Sequence, residues 1–238
     1  MTEASPKVFP EARLRSRAPT GSPRPPLTLW VLRHAEATSG APPGGGDRAR
    51  PLTARGRRDA TALGRRLAAG PGVFGTAAAR IPTGGQAGER IAAGSLPVAM
   101  PEVVVCSPAV RTRQTAELVA IALDDVPVVP DERLLRGDEE TVLQAVHEVS
   151  GTPAGVAVVG HNPTVFALTW ALLDAPGSGD APGRPVGGEA GGEGGDRHRL
   201  QQHGFPTCTV AAVTFAVPEW TAVRAGTGRL AALASPPY

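Results

Sequence analysis

The sequence predicts a three-layer α/β/α sandwich with a mostly parallel sheet. Short apolar runs rich in valine recur along the chain, and continuous runs of this kind are typical of strands buried on both faces. Segments with apolar residues at helical spacing lie between these runs. The alternation of strand and helix indicates a doubly wound α/β fold.

The composition indicates how the chain is organised. Its 238 residues suffice for one domain with a full core and for unstructured additions. The 30 glycines and 25 prolines are clustered. We therefore predict a disordered, basic, Pro-rich tail at residues 1–26 and one domain at residues 27–238, with Gly-rich insertions at about 70–101 and 176–200.

Charge, cysteines and hydropathy exclude several kinds of protein. The formal net charge of +2 is too small to indicate nucleic acid as a partner. Cys106 and Cys208 stand alone, which predicts small core residues in a reducing compartment. No apolar run approaches the roughly 20 residues that span a bilayer, and the N-terminus lacks the apolar segment of a secretory signal. We expect a cytoplasmic protein without a membrane partner. The sequence does not indicate which oligomeric state the protein adopts.

The first predicted elements are a strand and a helix. The stretch Leu27–Glu36 begins with a predicted buried strand, and this strand ends at the pair Arg33-His34. After a loop rich in glycine and proline, Thr53 is the predicted N-cap of a helix at Arg55–Ala69.

The remaining elements follow from the same patterns. Further strands are predicted at Val103–Cys106, Val126–Val129, Gly155–Val159 and Thr207–Val217, with Trp220–Arg224 pairing beside the last. Further helices are predicted at Ala109–Leu123, at Glu139–Val149 and from Pro163 to about Leu173.

Three predicted strands end in residues that suit an anion site. Arg33 and His34 end the first, His161 follows the fourth, and Arg111 lies on the first helical turn after the second. Because ligands bind at the carboxyl edge of open α/β sheets, we expect these four side chains to line one pocket.

Two guanidinium groups and two imidazoles, without an acidic cluster of metal-ligand spacing, suit a phosphoryl group. Arginine binds phosphate oxygens in a bidentate manner and stays charged. The nearby cations favour a neutral imidazole, whose lone pair can attack phosphorus. Fixed donors would then stabilise the developing charge without a metal.

Cysteine-dependent phosphatases provide a rival interpretation, because Cys106 closes a strand and an arginine follows it. Their loop has five residues between cysteine and arginine, whereas four separate Cys106 from Arg111 here, and none of the four is glycine. We therefore interpret Cys106 as a buried strand residue.

Four sequence blocks carry a family resemblance. In order, they are Leu32-Arg33-His34-Ala35-Glu36, Arg50-Pro51-Leu52-Thr53-Ala54-Arg55-Gly56, Ser107 to Ala116, and Gly160-His161-Asn162-Pro163, followed by Phe205-Pro206-Thr207. The chain thereby resembles the histidine phosphatase superfamily, which is phosphoglycerate mutase-like in fold, and most of all its branch of SixA-type protein-phosphohistidine phosphatases. The resemblance lies within Leu27–Val217 and leaves both insertions unmatched.

The resemblance implies roles for particular residues. His34 would be the nucleophile that becomes phosphorylated, and Arg33 and Arg111 would bind the phosphoryl oxygens. His161 would donate to the transferring group, with Asn162 also contacting substrate. The resemblance implies no cofactor and no metal, and its substrate would be a phosphorylated protein or a small phosphorylated metabolite.

The chain departs from larger phosphatases and mutases of the superfamily at one position. Those enzymes have a glutamate acid where this sequence has Arg136, so Glu132 and Asp138 are the nearby candidate acids. An alkoxide leaving group needs a proton from a general acid, whereas the imidazole of a phosphohistidine leaves more easily. The missing acid therefore favours phosphoramidates or activated phosphates and argues against mutase activity.

Two alternatives stay open at this stage. One is a phosphatase of sugar or nucleotide phosphates, whose pocket the segment Gly70–Pro101 would cap. The other is a non-catalytic phosphate-binding module, for which a nucleophile would be unnecessary.

Overall fold

The structure, a computed structural model, describes residues 26–70, 98–173 and 196–238. Its strands are β1 (Leu27–Arg33), β2 (Val103–Cys106), β3 (Val128–Pro130), β4 (Gly155–Gly160), β5 (Val210–Phe215) and β6 (Gly228–Ala234). Its helices are α1 (Ala54–Ala68), α2 (Val110–Ala122), α3 (Glu139–His147), α4 (Thr164–Leu172) and α5 (Asp196–His203). Short 3-10 turns lie at Asp47–Ala49, Glu132–Leu135 and Trp220–Ala222.

The strands form one sheet in the order β3-β2-β4-β1-β5-β6. The first four strands in this order are parallel, whereas β5 is antiparallel to β1 and β6 is antiparallel to β5. The predicted mostly parallel sheet is confirmed. Because β1, β4 and β2 are parallel neighbours, their carboxyl ends meet at one edge.

Helices cover both faces of the sheet. Leu29 and Val31 of β1 point to a core shared with α3, α4 and α5, whereas Trp30 and Leu32 point to a core shared with α1 and α2. Strands buried on both faces require apolar residues at successive positions, which explains the continuous apolar runs. The predicted three-layer α/β/α sandwich is confirmed.

Helix α1 begins as its sequence predicts. The Thr53 side chain accepts a hydrogen bond from the Gly56 backbone N–H, which satisfies a donor that the first turn leaves unpaired. On the buried face, a Cβ at Gly64 would lie 2.9 Å from the Cβ of Ala122, so glycine permits the close approach of α1 to α2.

The end of the chain differs from the prediction. Trp220–Arg224 is not a strand, because Trp220–Ala222 forms a 3-10 turn in which the buried Trp220 indole donates to the Pro153 carbonyl, 2.8 Å away. The strand that lies beside β5 at the sheet edge is β6, which contains three alanines and no β-branched residue and so has a weak strand pattern.

The predicted insertions are described only at their ends. Residues 196–200, predicted as part of the second insertion, begin α5, where Leu200 is fully buried. At the end of the first, the Ala99 carbonyl accepts a hydrogen bond of 2.8 Å from the Trp30 indole, and Ala99 N–H donates to Thr28. The predicted tail, apart from Pro26, and the centres of both insertions lie outside the described residues.

No helix in the described ranges combines the length and the apolar character that crossing a membrane would require.

Candidate active site

The four residues predicted from strand ends line one cleft of about 710 Å³ at the carboxyl edge of the sheet. Arg33 is paired with Gly160 in the sheet, so His34 and His161, the next residues, lie side by side. Arg111 reaches the cleft from the first turn of α2, after β2. The strand order therefore brings together residues that are far apart in sequence.

The His34 ring has a defined tautomer. Its Nδ1 lies 2.7 Å from the Ala35 carbonyl oxygen, and because a carbonyl only accepts, Nδ1 carries the proton. Nε2 therefore has a free lone pair. The backbone of His34 is also held, since its N–H donates to the Gly160 carbonyl and its own carbonyl accepts from Cys208 N–H.

Burial, followed by the charges of Arg111 and Arg33, lowers the pKa of His34 to about 4, even though the bond to Ala35 acts in the opposite direction. Burial, the neighbouring His34 and Arg111 likewise lower the pKa of His161 to about 4. Both rings are therefore neutral at neutral pH. The Nε2 of His161 lies 2.9 Å from Ser107 Oγ, which fixes the orientation of that ring.

The loop before β5 positions two further groups. Arg33 Nη1 donates to the Phe205 carbonyl oxygen over 2.8 Å, and Asn162 Nδ2 donates to the same oxygen over 3.0 Å. Burial lowers the pKa of Arg33 from its ordinary value, but an arginine remains charged at neutral pH. The carbonyl of a buried phenylalanine thus orients one side of the cleft.

Arg111 is almost fully buried and contacts Asp47 twice. Its guanidinium donates to the Asp47 backbone oxygen over 2.8 Å and to the carboxylate over 3.0 Å. The same carboxylate accepts from Arg50 Nε over 2.8 Å. Desolvation raises the pKa of Asp47, but the positive charges of Arg111 and Arg50 outweigh it and hold this pKa below its ordinary value. Asp47 is therefore an ionised carboxylate at the cleft.

Neither acid predicted from the sequence is found at the cleft. Glu132 makes a two-point ion pair with Arg48, with distances of 2.6 and 3.1 Å. Asp138 caps α3 by accepting hydrogen bonds from the backbone N–H and the hydroxyl of Thr141. Arg136 does line the cleft, together with Glu36 and Asp47.

From the sequence, the loop at residues 38–47 is expected only as a part of the rim of the site, and the contact of Asp47 with Arg111 is not predicted. This contact depends on the path of a Gly- and Pro-rich loop, and sequence periodicity does not define such a path. The sequence signal that could have indicated Asp47 is its position three residues before Arg50, the first residue of the second sequence block.

Curated relatives match part of the chain. The chain is 31% identical over 147 residues to an uncharacterized protein of Mycobacterium tuberculosis, a match that covers 62% of this chain and 73% of the relative. It is 35% identical over 83 residues to an uncharacterized protein of Mycobacterium leprae, covering 35% of this chain and 50% of that relative. The chain thus spans about half the length of the second relative. No family model matches the chain.

Solved structures match more of the chain. A protein of Nakamurella multipartitia assigned as phosphohistidine phosphatase SixA has a TM-score of 0.60 and 26% identity, covering 91% of this chain and all of its own. The SixA assigned in Agrobacterium tumefaciens (TM-score 0.56, 22% identity, 89% and 99% covered) and a tungstate complex of the protein histidine phosphatase SixA (0.51, 22%, 88% and 97%) share the fold. These relatives are members of the histidine phosphatase (phosphoglycerate mutase-like) superfamily, and the chain shares their fold.

The superfamily blocks hold the His34 segment in place. Gly56 in the second block approaches the first so closely that a Cβ would lie 2.0 Å from the Glu36 carbonyl oxygen. The third block supplies Thr115, whose hydroxyl accepts from Ala35 N–H over 3.0 Å. Gly56 and Thr115 therefore position the His34 segment from the second and third blocks.

The side chains of both cysteines belong to the core. Cys106 and Cys208 are fully buried, and burial raises the pKa of both thiols to about 12. A neutral thiol is a poor nucleophile, which agrees with the interpretation of Cys106 as a core residue. Within the described ranges, no group of three or more His, Cys, Asp or Glu residues could hold a metal ion.

Proposed function

We propose that this protein belongs to the histidine phosphatase superfamily and is a phosphatase that works through a phosphohistidine intermediate on His34. The hydrolase class is supported by the phosphatases among its structural relatives. The observation that carries the proposal is the tautomer of His34. Its Nδ1 proton is engaged by the Ala35 carbonyl, so that Nε2 has a lone pair in a cleft whose lining includes Arg33 and Arg111.

In the first step, His34 Nε2 attacks phosphorus, a P–N bond forms and the bond to the leaving group breaks. Arg33 and Arg111 bind the phosphoryl oxygens through donors that the fold already holds in place. Support comes from two buried donors, Arg33 Nε and Arg111 Nε, which have no hydrogen-bond partner among the described residues. A buried unpaired donor costs about 1–3 kcal/mol, and a bound anion would remove that cost.

In the second step, water attacks phosphorus, the P–N bond breaks and neutral His34 is restored. His161 accepts the proton of this water, for which its neutral state is required. The Nδ1 of His161 is buried and has no hydrogen-bond partner among the described residues. It is therefore the ring nitrogen that can interact with the phosphoryl group. A bound dianion would raise the pKa of His161 and strengthen its hydrogen-bond donation.

The proposed substrate is a phosphohistidine on a protein. Asp47 is a poor proton donor because it is ionised between two arginines, and Glu36 is held by the Thr53 hydroxyl, which donates to it over 2.8 Å. A leaving group that needs no strong acid suits this arrangement. The 26% identical relative assigned as a phosphohistidine phosphatase supports the same class.

The substrate class is tested by assaying phosphohistidine peptides in parallel with a panel of sugar and nucleotide phosphates. We expect kcat/KM to be about tenfold or more higher for the peptides, because their leaving group needs less proton donation. Preference for the panel would replace this substrate with a small metabolite. Tight phosphate binding without turnover of either set would indicate a binding module.

A further inference from the structure

Arg136 differs from the other arginines that line the cleft. The guanidinium groups of the other four each donate a hydrogen bond to a protein partner. The Arg33 partner is the Phe205 carbonyl, and the Arg48 partner is the Glu132 carboxylate. Arg50 and Arg111 share the Asp47 carboxylate. Arg136 is exposed, and its side chain has no hydrogen-bond or ion-pair partner among the described residues. Arg136 is therefore the cleft arginine whose guanidinium the described parts of the protein leave without a hydrogen-bond partner.

The backbone at Arg136 is held firmly although its side chain is free. Arg136 ends a 3-10 turn, and its N–H and that of Gly137 donate to the Arg133 carbonyl. The Gly137 carbonyl accepts from the Thr164 hydroxyl at the start of α4, 3.1 Å away. A Cβ at Gly137 would lie 2.5 Å from the Arg133 oxygen, so the turn requires glycine. The guanidinium therefore extends from a fixed point.

That fixed point lies to one side of the proposed phosphoryl site. Across the sheet, His34 follows β1, His161 follows β4, Arg111 follows β2, and Arg136 follows β3 at the sheet edge. A phosphoryl group held between Arg33 and Arg111 would leave Arg136 beyond it. In an in-line displacement the leaving group lies opposite the attacking His34, which is the direction of Arg136 across the sheet.

The charge of Arg136 determines which leaving groups are favoured. Arginine pairs with carboxylate and phosphate through two parallel hydrogen bonds. Neither cleft carboxylate can neutralise it in the described structure, because Asp47 pairs with Arg50 and Arg111, and Glu36 lies 3.8 Å from Arg55 and accepts from Thr53. An anionic group on the substrate would provide the missing partner.

We propose that Arg136 selects substrates that carry a second anionic group, a carboxylate or phosphate, on the leaving-group side of the phosphoryl group. The proposal rests on the proposed phosphatase function and narrows its substrate class. On a protein, the second anion would be an aspartate or glutamate beside the phosphohistidine. On a metabolite, it would be a carboxylate or a second phosphate.

Two matched substrate pairs test this proposal. One pair is a phosphohistidine peptide with glutamate or glutamine beside the phosphohistidine, and the other is 3-carboxyphenyl phosphate and phenyl phosphate. For the wild-type protein we expect KM to be about fivefold lower for the acidic member, with kcat changed by less than about twofold. Arg136→Gln should equalise the two KM values, and Arg136→Lys should retain part of the preference.

The control is Arg58→Gln, which removes another exposed arginine, on α1 and outside the cleft lining. It should keep the wild-type preference. A preference in the peptide pair alone supports a protein substrate, and one in the aryl pair alone supports a metabolite. No preference in either pair, or a preference that survives in Arg136→Gln, would overturn the proposal while leaving the phosphatase function intact.

Direct binding separates this proposal from the proposed function. Calorimetry with 3-carboxybenzylphosphonate and benzylphosphonate measures the same preference without turnover. If no phosphate ester or phosphohistidine is hydrolysed, the proposed function fails. In that case, a Kd ratio of about five in the wild type that is lost in Arg136→Gln still supports Arg136 as an anion-binding residue, and equal Kd values contradict it.

Discussion

The imidazole rings of His34 and His161 lie with their centroids 5.2 Å apart and their planes at 63°. At this distance, protonation of one ring opposes protonation of the other. Burial and the neighbouring arginines act in the same direction, so that both rings stay neutral.

This relationship predicts the titration of the two rings. Because the pKa of each is lowered to about 4, neither His34 nor His161 should titrate between about pH 5 and 8, where an ordinary histidine does. NMR of ¹⁵N-labelled histidine measures this directly. The signals are assigned with His34→Asn and His161→Asn. Titration of both rings near an ordinary histidine pKa would contradict the neutral nucleophile.

The Asp47 carboxylate should compete with an anion for Arg111. Because Asp47 pairs with both Arg111 and Arg50, Asp47→Asn should strengthen inorganic phosphate inhibition by about fivefold by removing the competing charge. The inhibition constant for phosphate is the measurement. Glu117→Gln, which removes an exposed acid paired with Arg113 elsewhere on α2, should leave this constant unchanged. Weaker inhibition of Asp47→Asn would instead mean that Asp47 orients Arg111 for binding.

The planar guanidinium of Arg111 is expected to matter beyond its charge. Arg111→Lys keeps the charge but loses the two-point geometry, so kcat/KM should fall by about 100-fold. Arg113→Lys, two residues along the same helix and exposed, provides the matched control. Equal kcat/KM values for the two variants would show that Arg111 acts only as a point charge.

The close approach of α1 to the His34 segment should be sensitive to a single methyl group. Gly56→Ala places a Cβ against the Glu36 carbonyl, at 2.0 Å before relaxation, and should reduce the free energy of unfolding by about 3 kcal/mol. Urea unfolding measures the change. At Gly40, where a Cβ would have no atom within 4 Å, the same substitution should change stability little. Similar losses for both variants would contradict the packing account.

The sequence allowed the prediction of those features that depend on local patterns. Thr53 and the spacing of the apolar residues after it predict α1, and the carboxyl ends of three parallel strands place Arg33, His34, Arg111 and His161 at one cleft. Their convergence could be predicted because parallel strands share an edge. The roles of these residues remain predictions.

Features that depend on loop paths or on weak patterns could not be predicted. The contact of Asp47 with Arg111 requires the course of a Gly- and Pro-rich loop. The candidate acids Glu132 and Asp138 are close to Arg136 in sequence, but they pair with Arg48 and Thr141. Helix α5 contains a single apolar residue, so it lacks the amphipathic pattern that identifies a helix.

The most direct test of the account is chemical trapping of the intermediate. The protein is mixed with a labelled phosphohistidine peptide, quenched in base and digested, and the phosphorylated residue is identified by mass spectrometry. We predict an acid-labile, base-stable adduct on His34 that is absent from His34→Ala, whereas His203→Ala, which removes an exposed histidine outside the cleft lining, still forms it. An adduct on another residue, or turnover that persists in His34→Ala, would contradict the central claim that His34 is the nucleophile.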